Sequence, residues 1–591
     1  MAILPNIWAQ GGALFAFSGM DGPTDSESSL VGSTLPQGKG ILFHTKIPVT
    51  LEFPHGNGVT YEYEIVANDL ISTTLSAKGA RMRLEVTFLD KDTVVGRIAA
   101  LEVDEVSEVR IGVGIGCGEI AIEPQGIVIK TQSEGFALFG SGANLCVDKA
   151  GLISTLGPDQ ELRFALGYSS VDTRHACEKA SLGLCTDIGS VVEDRISFFK
   201  NLPAVLSEDP TTQRTFCKCA SVQKVNCCTA QGEIKFNWTT PDRWPHRNMW
   251  LWDSAFHALG LRHFAPEWAK DAIRAVLAKQ KANGFVPHMM GVSAQSDSVV
   301  TQPPVLSWAT WEVFSKVDDK EFLEYCYPKL KAMVLYDCEN LDRDGSGLWE
   351  WESPGASGMD NSPRFDQPLG DAVDLCSFLV NEMSYLEKIA TVLSITCDVQ
   401  MWFEMKSAYS ALVNERMWDE ATGFYYDLTP DAQMLRLKTV AGFMPLFAGI
   451  SNYEQAATVI SHLTNPDEFW RALPVPSVSA DEPSFSGDMW RGPVWVNYNY
   501  LIIEGLLQYG YLSYAKDLRD RTLREVERWY LNDGVIYEFY DSESRRSPSS
   551  LRRKGKTSKL VNGAWMDGAI RDYHWTAALY IDLLLNFSEG K

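Results

Sequence analysis

Positive charge is in short supply in this 591-residue chain: 53 Lys and Arg stand against 76 Asp and Glu, a net charge of −23. That balance repels nucleic acid and anionic membranes, so neither is expected as a partner. Apolar runs of membrane-spanning length are missing too. The first residues, MAILPNIWAQGGALFAF, have no basic n-region and no clear apolar core, which makes a poor secretory signal. A cytoplasmic protein with its 12 cysteines reduced is the expectation. The 9 histidines are scattered without an HxxxH pair, and no EF-hand-like loop is seen, so no metal or cofactor is expected. Cys217, Cys219, Cys227 and Cys228 cluster, but a CxC and a CC do not give zinc-knuckle spacing. They fall in a helix-like stretch and read as core thiols. No repeat of fixed period is visible.

What is present divides into two halves. Up to about residue 205 the chain reads as strands. RMRLEVTFL (81–89) alternates polar and apolar residues, and 60–66, 94–103, 108–116 and 125–130 are β-branched runs between breakers. An antiparallel β-sandwich domain over 1–205 is predicted. Only Trp8 of the 18 tryptophans falls there. From Asp209–Pro210 the period becomes helical. Helices are expected after 210, over 266–284 and 319–340, and near 250–263, 304–316, 371–395, 398–416, 440–449, 452–463, 495–510, 512–530 and 572–587. Helices joined mostly by short turns bury their stripes together, either in a closed double ring or in an open solenoid. The missing repeat weighs against the solenoid.

Long loops at 232–249, 284–303, 342–370, 465–494 and 532–571 interrupt the helices, and loops of that length are usually functional. In them or at their edges stand Trp244, Trp250, Trp252, Trp308, Trp349, Trp351, Trp490, Trp495, Trp565 and Trp575. An indole offers a flat apolar face to a sugar and an N–H to a hydroxyl, although Trp also serves as core. Asp253 stands at the head of a helix in WPHRNMWLWDSAF, where a simple N-cap is the plainer reading. Gln302 is aimed by Pro303–Pro304. Asp360 lies in the turn SGMDNSPR (357–364), and WRGPVW (490–495) follows. Glu538, in DGVIYEFYDSES, reads by itself as a solvated acid.

Those segments, in that order, resemble glycoside hydrolase family 63 and, more distantly, the family 37 trehalases, over most of residues 210–587. The resemblance implies a mainly α fold, an (α/α)6 barrel catalytic domain over 206–591. It also implies inverting, exo-acting hydrolysis of a small α-glucoside or α-mannoside, of oligosaccharide or glycosylglycerate type, with an α-glucosidase foremost. On it Asp360 becomes the general acid and Glu538 the general base. Trp250, Asp253, Gln302, Gly358, Trp490, Arg491 and Trp495 surround the sugar. The sequence departs from the family at Ala356, where a glutamate is usual.

The acid must carry its proton near neutral pH, so Asp360 is expected to be buried against aromatic rings. The base works on water across the ring, with Arg491 or the basic loop 542–560 keeping its surroundings polar. The Arg and Lys residues of that loop are expected to contact an anionic leaving group such as glycerate, with Arg552 and Arg553 the ones whose neutralisation should raise KM for anionic substrates. The competing readings are a phosphorylase on the same barrel, which needs no base, a non-catalytic carbohydrate-binding protein, and a helical scaffold. The sequence does not set an oligomeric state.

Overall fold

The computed structural model describes residues 15–18, 27–32, 47–52, 60–77, 80–103, 107–113, 118–130, 135–149, 151–169, 171–242, 246, 248–561 and 564–586. It divides into two compact units: Met1–Leu202 with Lys224–Thr229 and Leu560–Trp565, and Pro203–Gln223 with Ala230–Lys559 and Met566–Lys591.

The first unit holds two antiparallel sheets. One has six strands in the order Phe15–Ser18, Glu27–Gly32, Ile47–Glu52, Ser107–Val113, Gly151–Leu156 and Cys146–Asp148. The other has eight, in the order Thr60–Ala67, Leu70–Ala77, Ala80–Asp90, Thr93–Val103, Glu161–Ser169, Gly135–Gly142, Gly126–Lys130 and Glu119–Glu123. The alternation read in 81–89 is realised: Met82, Leu84, Val86 and Phe88 enter the core, joined there by Val109, Ile111, Leu152 and Leu156 of the six-stranded sheet. Each expected strand coincides with an observed one. Residues 114–116 of the run at 108–116, and Trp8, lie outside the described residues.

Two helices of this unit, Thr173–Cys185 and Ile188–Lys200, were not anticipated. The first buries only Ala176, Ala180 and Gly183. It lies so close to the sheet that a Cβ on Gly167 would fall 2.2 Å from the Ala176 carbonyl oxygen. Small residues at a close approach leave no apolar stripe for a periodicity search to find.

The second unit is helical. Leu251–Leu261, Leu306–Val317, Val373–Val392, Met444–Phe447, Val496–Gln508 and His574–Asn586 touch one another in that order, and the last touches the first. Every residue of Leu251–Leu261 is buried, and so is every residue of 574–585. Helices apolar on all sides must be enclosed by others, and this composition places them inside. Pro266–Ala278, Lys320–Asn340, Thr396–Met417 and Leu512–Asp533 pack against these helices. Each expected helical segment contains a helix. Arg262 ties four of the enclosed helices together: it donates to Asp582 at 3.0 Å and to the Glu312 carboxylate at 2.9 Å, while the Tyr500 hydroxyl donates to Asp582 at 2.7 Å. The cysteine cluster straddles a helix end: Cys219 is buried within Pro210–Val225, and Cys227 and Cys228 are buried in the short strand after it.

His257 and His574, on adjacent helices, stack with ring centroids 3.7 Å apart. Both are fully buried. Burial, with the neighbouring His574, holds His257 well below the usual histidine range, and burial brings His574 down to about 3. At these two histidines the folded chain therefore binds fewer protons than the unfolded one below pH ~6.5. Their contribution to stability is fully present above that pH and falls as pH drops, by about 1.4 kcal/mol per pH unit for each histidine. His574→Asn should flatten the decline of the urea midpoint between pH 6.5 and 5 by one proton's worth. An unchanged slope would remove the histidine pair as its cause.

Candidate active site

Five loop regions of the helical unit converge on one cleft of about 430 Å³, lined by Trp250, Trp252, Asp253, Gln302, Gly358, Asp360, Trp490, Trp495, Glu538, Arg553, Tyr573 and Trp575 among others. Of the residues picked from sequence, eight line it together and Arg491 does not.

Helix geometry places Asp253. The cap position of Leu251–Leu261 is held by Trp250, and Asp253 sits in the first turn, so the simple N-cap reading does not hold. Its carboxylate is buried, 3.5 Å from the Tyr573 hydroxyl. Burial, then the charges of Glu538 and Asp242, push Asp253 well above the usual carboxylate range. Gln302 serves the same helix from another loop: its Oε1 accepts the Trp252 backbone N–H at 3.2 Å, one of the donors a helix N-terminus leaves open.

Asp360 follows Gly358, whose φ of +74° is left-handed. A Cβ there would meet the Trp252 ring at 2.4 Å. The expected enclosure among rings is corrected in one respect. The Asp360 side chain keeps 24% of its exposure, and Lys554 Nζ lies 2.8 Å from its Oδ2. The ammonium comes from the basic loop, and its pairing with Asp360 was not expected.

Glu538 is not a solvated acid. It is 2% exposed, its N–H donates to the Ile570 carbonyl at 2.9 Å, and the Arg553 guanidinium binds both its oxygens. Burial pulls Arg553 down, but Glu538 outweighs it and pushes Arg553 up. The basic loop, not Arg491, supplies the cation at Glu538. Arg491 donates to the Asn361 carbonyl at 2.9 Å and pairs with Asp366, bracing the turn that bears Asp360. Arg552 is exposed and does not line the cleft.

Trp490 and Trp495 stack at 3.8 Å and 2° across the Gly492–Pro493 turn. Gly492, with φ +145°, has no room for a Cβ, which would fall 2.1 Å from the Ser486 carbonyl oxygen. The indole N–H groups of Trp250, Trp490 and Trp575 are buried with no protein partner, leaving three donors beside the carboxylates. Trp308, Trp349 and Trp351 are core: Trp308 packs on Phe256 and Phe447, Trp349 on Tyr409, and Trp351 donates to Asp374 at 2.9 Å. Trp244 and the side chain of Trp565 lie outside the described residues. His246 and Tyr573 were missed from sequence, and Lys554 was covered only as one of the Arg and Lys residues of the basic loop. A single His, Tyr or Lys carries no spacing signal, and the register of Lys554 depends on a turn.

Among the described residues, Asp344, Glu350 and Asp371 bring carboxylate oxygens within 4.8 Å of one another, an arrangement that suits a metal ion. None lines the cleft. Glu350 pairs with Arg343 at 2.7 Å, and burial pushes Asp371 up to about 6.

The model of the mannosylglycerate hydrolase MGH1-like glycoside hydrolase domain matches residues 246–576. Mannosylglycerate hydrolase of Thermus thermophilus is 27% identical over 383 residues, covering 51% of this chain and 91% of its own. The structure of a family 63 mannosylglycerate hydrolase from Thermus thermophilus, in complex with glucose, superposes with a TM-score of 0.51 at 25% identity, covering 62% of this chain and 98% of that one. A bacterial glucoamylase complexed with acarbose shares the fold over 98% of this chain and 93% of its own, with a TM-score of 0.61 at 10% identity.

Gly358→Ala should cost about 1–3 kcal/mol, since φ is left-handed and the facing indole ring is rigid. It should also displace the Asp360 turn. A melting temperature and ligand affinity equal to the wild type's would show that the turn tolerates a side chain.

Proposed function

The chain belongs to the family of mannosylglycerate hydrolase MGH1-like glycoside hydrolases, within glycoside hydrolase family 63, and from that premise we propose that it is an inverting, exo-acting α-glycosidase for an α-mannosyl or α-glucosyl glycerate or a similarly small glycoside. Its two domains are a β-sandwich (1–205) and an (α/α)6 barrel (206–591). The cyclic contacts of the enclosed helices and the core shared by the two sheets support that architecture.

The observation that carries the proposal is the meeting of Asp360 and Glu538 in one tryptophan-walled cleft. Asp360 is the general acid. It protonates the bridging oxygen as the bond to the anomeric carbon breaks, and the leaving group departs as an alcohol. Glu538 is the general base. It takes a proton from the water that attacks the opposite face of the sugar, and inversion follows. Arg553 compensates the buried Glu538 charge, which is needed because an unpaired charge in such a setting is costly. The free indole N–H groups, Gln302 and Asp253 bind ring hydroxyls.

Lys554 marks the leaving-group side, because the acid it touches must lie beside the bridging oxygen. In a glycosylglycerate the carboxylate is attached to the carbon that bears that oxygen, so the ammonium meets it. Of the loop's basic residues, Lys554 rather than Arg552 or Arg553 suits the expected role: Arg552 lies outside the cleft, and Arg553 is bound to Glu538.

One observation favours a second assignment of the acid. Asp253 lines the same cleft and is raised well above the usual range, as a proton donor requires. A substrate with a good leaving group, which departs without protonation, separates the two. Asp360→Asn should lose about 10²–10⁴-fold on a glycosylglycerate and recover much of it on an aryl α-glycoside of low leaving-group pKa. Asp253→Asn should fall alike on both. The reverse pattern would make Asp253 the acid. Glu538→Gln should abolish turnover of both, and NMR of the first-formed sugar should show inverted configuration. Retention, or a requirement for phosphate, would overturn the mechanism.

Lys554→Met should raise KM for a glycosylglycerate about tenfold more than for a neutral α-glycoside. An equal rise for both would remove the anionic leaving group from the proposal.

A further inference from the structure

The basic loop reaches the cleft through one tight turn. Arg553 and Lys556 exchange backbone hydrogen bonds at 2.7 and 3.1 Å. The two residues between them, Lys554 at φ +50° and Gly555 at φ +79°, are both left-handed, as a two-residue hairpin turn requires. Glycine accepts that conformation freely, but lysine does not. The tip is therefore held by contacts beyond its own backbone preference.

Asp488 supplies them. Its Oδ2 accepts the Gly555 N–H at 2.8 Å, and its Oδ1 accepts Asn361 Nδ2 at 3.2 Å. One carboxylate thus joins the residue after Lys554 to the residue after Asp360. Its chain neighbours fix the same register: the Arg552 N–H donates to the Gly487 carbonyl, and the Met489 N–H donates to the Arg552 carbonyl, each at 3.0 Å. Asn361 is also used fully, since its Oδ1 accepts the Trp490 N–H at 2.9 Å. Asp488 is buried and does not line the cleft.

We propose that Asp488 is a positioning residue that registers the Lys554 hairpin against the Asp360 turn, so that charge on a leaving group is read at a fixed distance from the acid. This rests on the roles given above to Asp360 and Lys554. A carboxylate accepting both N–H groups does what an amide cannot, because an amide has one acceptor and one donor where two donors face it. Loss of Asp488 should act through Lys554 and should leave the helices untouched.

Two measurements test this on the full chain. The first is independent of activity. Trypsin cleavage after Arg552, Arg553 and Lys554, followed by mass spectrometry, should be at least tenfold faster in Asp488→Ala than in the wild type, with cleavage after the exposed Arg343 unchanged. If Asp488→Ala is cut faster everywhere through poor folding, the isosteric Asp488→Asn decides. It should be cut at least threefold faster at the hairpin alone, and wild-type rates there would overturn the proposal. The second is a double-mutant cycle on a glycosylglycerate. Asp488→Ala should lower kcat/KM about tenfold, mainly through KM, and should add no more than twofold in a Lys554→Met background. Losses that multiply would overturn the link to Lys554. A wild type that cleaves no α-glycoside would instead sink the functional reading, and the cleavage pattern would still judge the hold of Asp488 on the hairpin.

Discussion

Glu538 is enclosed in protein, and the site depends on how that charge is made tolerable. An isolated carboxylate out of water costs several kcal/mol, and a cation in contact offsets most of that cost. One hairpin provides such cations twice in succession: Arg553 grips Glu538, and Lys554 lies on Asp360. The two pairings differ in kind. Arg553 sets one guanidinium nitrogen, Nη1, on both oxygens of a nearly inaccessible group, which suits a permanent partner. Lys554 is a flexible, half-exposed ammonium on a carboxylate that itself reaches solvent, which suits exchange with an incoming ligand.

The surrounding structure holds these charges in place. The enclosed helices supply a rigid base, tied across four of them by Arg262 and Asp582. Their ends carry Trp252, Asp253 and Trp575, and the loops above carry most of the rest. The loops are in turn cross-braced by polar side chains: Gln302 onto the end of Leu251–Leu261, Arg491 onto Asn361, and Asp488 onto both Asn361 and Gly555. Of these braces Gln302 itself lines the cleft, whereas Arg491 and Asp488 do not, although Arg491 stands between two tryptophans that do.

Three carboxylates share the cleft, and their settings separate them. Asp253 has burial and two like charges against it, Glu538 has a guanidinium, and Asp360 has an ammonium and some water. Unlike surroundings for like groups are the usual means by which a fold assigns proton donor and proton acceptor.

The residues alone determined the division into a strand-rich first part and a helical second part, because periods of 2 and 3.6 survive in any sequence whose faces are buried unequally. They also marked Asp360, Gln302 and the Trp490–Trp495 pair, since these stand in motifs of unusual composition, whereas Glu538 reads by itself as a solvated acid and was marked only through the resemblance to family 63. Tertiary structure decided what periodicity and motif do not encode. It placed helix Thr173–Cys185, whose buried face is only alanine and glycine, and it sorted the tryptophans into those of the core and those of the cleft. It also put Lys554 on Asp360 and Arg491 outside the cleft, because which side chains meet across loops far apart in sequence depends on turn handedness and on braces such as Asp488. No local pattern records those contacts, since each is fixed by a residue distant in the chain.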